Sequence, residues 1–205
     1  MIGNLDLYNA AAARMRPVDI IAVRGGTSDP VGHPIEVVSA IIEKVGESKG
    51  KPGYSHIAIV RQPLLAGRDV QIIESTIEAG ANGVQTHALG ATLAGYEPGS
   101  HADWYPLSAK SRARVDLGAF YAWCGRNDGV TRYSIQELFQ FMFLPDWVRD
   151  HEVPQDAEVC SVAAGAALKA AMVCPDILPW EQKPTDIVAL EWGDESIFDI
   201  PVAIF

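Results

Sequence analysis

The sequence has few of the residues that would mark a secreted, metal-bound or nucleic-acid-binding protein. Only three cysteines occur, Cys124, Cys160 and Cys174, and none stands in a C-x-x-C pair. An odd, scattered set excludes a closed disulfide framework within one chain and suits a reducing compartment. Lys and Arg number 16 against 26 Asp and Glu, for a net charge of −10. So little positive charge argues against a surface that tracks phosphates, and nucleic acid is not an expected partner. No run reaches the roughly 18 apolar residues a membrane-spanning helix needs. No leader pattern is read near the start, where Asp6 is followed by an alanine-rich stretch at 7–13. A cytoplasmic protein is the expectation.

Several chemical motifs are missing as well. There is no G-x-S-x-G elbow, which removes the usual serine-hydrolase arrangement. Gly25-Gly26 is not continued into a phosphate-binding loop, and the His and Cys residues are not spaced as zinc ligands. Neither cofactor nor metal is expected.

What the chain does have is 205 residues, 48% of them hydrophobic. That is enough for one domain, 1–205, burying roughly 70% of the surface its unfolded form exposes. Apolar spacing predicts helices over 4–15, 35–45, 108–124, 135–143 and 160–173. Ser134 stands before the fourth of these with Glu137 in the capping-box position. Runs rich in β-branched residues predict strands at 19–24, 56–61, 69–76, 104–107, 187–191 and 197–205, with a weak strand near 83–89 in an otherwise irregular 77–103. Strands and helices do not alternate as βαβ units. The expected class is therefore α+β, a small antiparallel sheet packed against helices.

Three residues carry the chemistry. Cys160 opens a predicted helix, where unpaired N–H groups and the helix dipole favour a thiolate, whereas Cys124 and Cys174 fall near helix C-termini. A cysteine so placed is also commonly a small core residue. Of five histidines, His33, His101 and His151 lie in loop-like surroundings and His56 starts a strand, where a base is held more rigidly. Glu74 stands among Ile72 and Ile73, where a carboxylate is out of place unless it has a partner. If the two strands pair antiparallel, His56 and Glu74 can meet on one face, although each alone also reads as an ordinary strand-end residue.

The order Tyr54-Ser55-His56-Ile57-Ala58-Ile59, Ile72-Ile73-Glu74-Ser75, Gly83-Val84, Tyr133 and Glu158-Val159-Cys160-Ser161 resembles the circularly permuted NlpC-type, papain-like cysteine hydrolases of the YiiX-like group. Pro17-Val18-Asp19 stands where that family opens with Pro-Gly-Asp, and Pro184-Thr185-Asp186-Ile187 resembles its closing Pro-x-Asp-Leu. The resemblance spans most of the chain in short motifs. It departs after Cys160-Ser161, where Val162 and Ala163 replace a frequent glutamate, and at Val18.

The resemblance implies a papain-like fold with Cys160 as nucleophile, His56 as base and Glu74 as the group that orients it. It also implies Tyr133 near the oxyanion and Tyr54 as a pocket wall or a core residue. The implied activity is a cysteine hydrolase of the amidase or peptidase kind, acting through an acyl-thioester on a peptide, muropeptide or acyl-ester substrate. A lipid acyl hydrolase or acyltransferase on the same fold is the alternative, and a non-catalytic binding module a second one. The aromatic group Phe139, Phe141, Phe143 and Trp147 reads as core or as an acyl-chain or partner contact.

Overall fold

The computed structural model describes residues 5–24, 54–78, 81–96, 99–132 and 160–205. These residues form an α+β domain around a six-stranded, wholly antiparallel sheet. The strands are β1 (Ile20–Arg24), β2 (His56–Gln62), β3 (Gln71–Glu78), β4 (Ala81–Ala88), β5 (His101–Tyr105) and β8 (Val202–Ala203), in the order β4-β3-β2-β1-β5-β8. A separate hairpin pairs β6 (Glu191–Trp192) with β7 (Glu195–Ser196). The helices are α1 (Asp6–Ala12), α2 (Leu89–Ala94), α3 (Ala109–Arg112), α4 (Leu117–Asn127), α5 (Cys160–Ala170) and α6 (Pro184–Ile187). None among the described residues is long and apolar enough to cross a membrane.

Strand alternation sorts the apolar residues into two cores. Ile20 and Ala22 of β1, Ile57 and Ile59 of β2, and Ile73 of β3 face α4 and α5. Their neighbours Ile21, Val23, Ala58, Val60 and Ile72 face α1 and α2 on the other side. Small side chains line the sheet-facing side of α5, with Ala163, Ala164 and Ala167 all buried. A helix with so little bulk on that side lies close to the strands, and this brings its first residue, Cys160, down to the sheet.

Asp19 ties the start of β1 to the rest of the fold. It is 1% exposed, and its carboxylate pairs with Arg112, accepts from Trp104 Nε1 at 3.0 Å and accepts the backbone N–H groups of Leu107 at 3.0 Å and Arg16 at 2.8 Å. Burial pushes its carboxyl up from the ordinary range, and Arg112 with these donors opposes that shift. Val18, just before it, has φ +74° and is fully buried. A β-branched residue in left-handed backbone is strained by about 1–2 kcal/mol. A backbone conformation that favours glycine thus carries a valine here, and burial of the isopropyl group offsets the strain.

The expected elements at 19–24, 56–61 and 69–76 appear with ends shifted by one or two residues. Others differ. The stretch 77–103, expected to be irregular with one weak strand, holds the eight-residue β4 followed by α2. Pairing with β3 along its full length supplies what local periodicity lacks. The helix expected at 108–124 is two helices, because Asp116 interrupts it and caps the second by accepting from Ala119 N–H at 2.9 Å. The strand expected at 104–107 runs from His101 to Tyr105. The strand expected at 187–191 is a helix end and the short hairpin, and of 197–205 only Val202–Ala203 joins the sheet. The helices expected at 35–45 and 135–143 lie outside the described residues, as does Trp147.

Candidate active site

Cys160 is the first residue of α5 and is 8% exposed. α5 packs across β2 and β3, and His56 begins β2. β2 and β3 are antiparallel with Ile59 opposite Ile73. Beyond that pair, His56 of β2 and Glu74 of β3 come within side-chain reach of each other. The His56 Nε2 and Glu74 Oε2 atoms are hydrogen-bonded there as an ion pair. Cys160 also acts on this ring through its side chain and charge. The imidazole thus bridges a carboxylate on one strand and a sulfur at a helix start.

Two opposed effects act on His56. Burial, the largest, disfavours the charged ring; the negative charge and hydrogen bond of Cys160, followed by those of Glu74, outweigh it and raise the imidazole well above its usual value. The ring retains 23% side-chain exposure and Glu74 only 3%. The imidazole is therefore held toward its protonated form.

Beside Cys160 and Glu74 runs a narrow seam lined by Ile57, Ile59, Ile73, Val84, Trp123, Ala163 and Ala164. Its walls are apolar, which excludes water from the side of the pair that faces the core. Trp123, on α4, was not singled out by the sequence, and its helical apolar spacing marks it only as core. The other thiols have no such setting. Cys124 is fully buried and burial, its largest influence, pushes its thiol up to about 11; Cys174 is also raised, again by burial first.

Tyr54 lies in the core on the face that carries α5, 2% exposed. Its hydroxyl meets Asp103 Oδ2 at 2.7 Å and the Tyr105 hydroxyl at 2.8 Å, and its ring stacks edge-on to Tyr105. Those contacts make Tyr54 a support for the strand that carries His56. Tyr133 lies outside the described residues, as do His33 and His151. His101, expected in a loop, begins β5 and is exposed.

Gly83 has a role the sequence motif does not show. At φ +116°, a Cβ on it would sit 1.9 Å from Thr131 O and 2.7 Å from Arg132 Cα. Val84 N–H donates to Thr131 O at 2.8 Å, and Gly129 N–H to Val84 O at 2.8 Å. The absent side chain lets the chain after α4 lie directly on β4. No model of a known protein family matches this chain, and no curated protein does either.

Proposed function

We propose that this protein is a papain-like, circularly permuted thiol hydrolase that cleaves amide or peptide bonds. One observation carries the reading: three residues far apart in sequence, Cys160, His56 and Glu74, come together around one imidazole at the start of a helix laid on an antiparallel sheet. The order nucleophile, base and orienting group is what acyl transfer by cysteine requires.

The Cys160 thiolate attacks the carbonyl carbon and forms a C–S bond. The carbonyl electrons move to oxygen, and the Cys160 backbone N–H at the first turn of α5 is a donor for that oxyanion. His56 imidazolium passes its proton to the leaving nitrogen as the C–N bond breaks. A water then loses a proton to His56 and attacks the thioester, releasing the acid and restoring the thiolate. Glu74 holds the ring in the orientation both steps need and stabilises its positive form.

The test is turnover with identification of the intermediate. Muropeptides and short-chain acyl esters are screened as substrates, and peptide mass mapping after rapid acid quench is expected to find the acyl group on Cys160. Hydrolysis that survives Cys160→Ala would overturn the mechanism. Labelling of Cys160 by a thiol-directed electrophile no faster than Cys124 or Cys174 would favour a non-catalytic module.

A further inference from the structure

We propose that Arg24 is the specificity-determining residue of this site and receives a carboxylate carried by the substrate near its scissile bond. The inference rests on the hydrolase reading above and extends it to a substrate class.

Three observations place Arg24. β1 is antiparallel to β2 with Val23 opposite His56, so Arg24 is one residue beyond the position that pairs with the base. In alternation it follows Ile20 and Ala22, which both face the core shared with α5. Its guanidinium carbon stands 5.8 Å from the ring centroid of Tyr54, a residue of that same core. The side chain therefore lies on the sheet face that carries Cys160.

Its polar atoms are incompletely satisfied. Arg24 Nε is buried and has no hydrogen-bond partner, a state that costs free energy unless something repays it. None of the ion pairs between described residues includes Arg24. The nearby acid on β5, Asp103, accepts from the Tyr54 hydroxyl. Arg61, whose Nε is likewise buried without a partner, is ion-paired with Asp128, and Arg112 with Asp19, whereas Arg24 has no such pair among the described residues. A guanidinium steadied on an aromatic ring, with a desolvated N–H to spare, suits a planar anion taken by a two-pronged hydrogen bond. In a chain of net charge −10, a local cation is also what admits an anionic substrate against the overall field.

Iodoacetate and iodoacetamide test this, since both alkylate a thiolate with loss of iodide and differ in a carboxylate against an amide. The rate of each at Cys160 is read by peptide mass mapping, and the ratio of iodoacetate to iodoacetamide is compared between variants. His56 attracts anions in every variant, so the change in ratio isolates Arg24. Arg24→Gln is expected to lower the ratio about fivefold, the scale of one partly exposed ion pair. Arg24→Lys, which keeps charge but not the fork, is expected to lower it less. With the wild-type chain, glutarate is expected to slow iodoacetate more than iodoacetamide, a measurement that needs no variant to fold. An unchanged ratio in both variants, with no glutarate preference, overturns the assignment and leaves the hydrolase reading standing. Failure of both reagents to modify Cys160 would instead remove the hydrolase reading, and the role of Arg24 with it.

Discussion

His56 and Glu74 meet from adjacent antiparallel strands, imidazole Nε2 to carboxylate Oε2, with Glu74 only 4% exposed. A buried carboxylate with an imidazole beside it favours imidazolium, and the Cys160 sulfur on the same ring adds to the effect. Several measurable properties depend on that relationship.

The first concerns thiol reactivity. At pH 7, iodoacetamide is expected to modify Cys160 ahead of the other two cysteines, since burial holds the Cys124 thiol up to about 11 and raises Cys174 as well. His56→Ala removes the cation that pairs with the Cys160 sulfur. It should slow modification at Cys160 about tenfold or more, the effect of losing at least ~1.4 kcal/mol of differential interaction. Mass mapping of the three cysteine peptides over time checks both statements, and an unchanged rate in His56→Ala would remove the base assignment.

The second concerns pH and Glu74→Gln. Because the folded-state value of His56 is raised, its protonation stabilises the fold fully below the unfolded value of about 6.5, and that contribution is lost as pH rises through the elevated folded value. Glu74→Gln keeps the shape and removes one of the influences that raise His56. The His56 titration followed by NMR should move down. The stability lost as pH rises above about 6.5, followed by urea unfolding, should shrink as well.

Backbone accommodation makes the third prediction. Gly83→Ala places a methyl 1.9 Å from Thr131 O in a left-handed backbone, and should cost about 2–4 kcal/mol in urea unfolding. Gly125→Ala, inside α4 with nothing within 4 Å of the new Cβ, should instead gain about 0.5–1 kcal/mol. Equal effects from the two would contradict the close approach at β4.

A fourth lies at the end of the Cys160 helix. Met172 has φ +60°, its N–H donates to Lys169 O at 3.0 Å, and the Val173 N–H donates to Leu168 O at 3.1 Å. This is a Schellman ending with methionine where glycine is usual. Met172 is 49% exposed, so Met172→Gly relieves backbone strain with little burial lost. It should raise stability by about 1 kcal/mol, seen as a higher Tm.

Much of this was written locally. Cys160 at a helix start follows from an alanine-rich run, and the strands bearing His56 and Glu74 follow from their β-branched content. β4 was hardly legible, because its residues, ANGVQTHA, show little alternation and its order comes from pairing with β3. The Asp19 network escaped for a similar reason, since its partners Trp104, Leu107 and Arg112 are more than 80 residues away.

By itself, the sequence determined an α+β class, an acidic chain and the identity of three residues fit for thiol chemistry, because periodicity, charge and side-chain type are local properties. Only the tertiary structure decided that Glu74 and Cys160 both act on the imidazole of His56, that Tyr54 belongs to the core, and that Arg24, next to the residue paired with His56, shares the alternation of Ile20 and Ala22. Those facts depend on strand register and on how closely a small-faced helix lies on the sheet. Both are set by packing between segments distant along the chain.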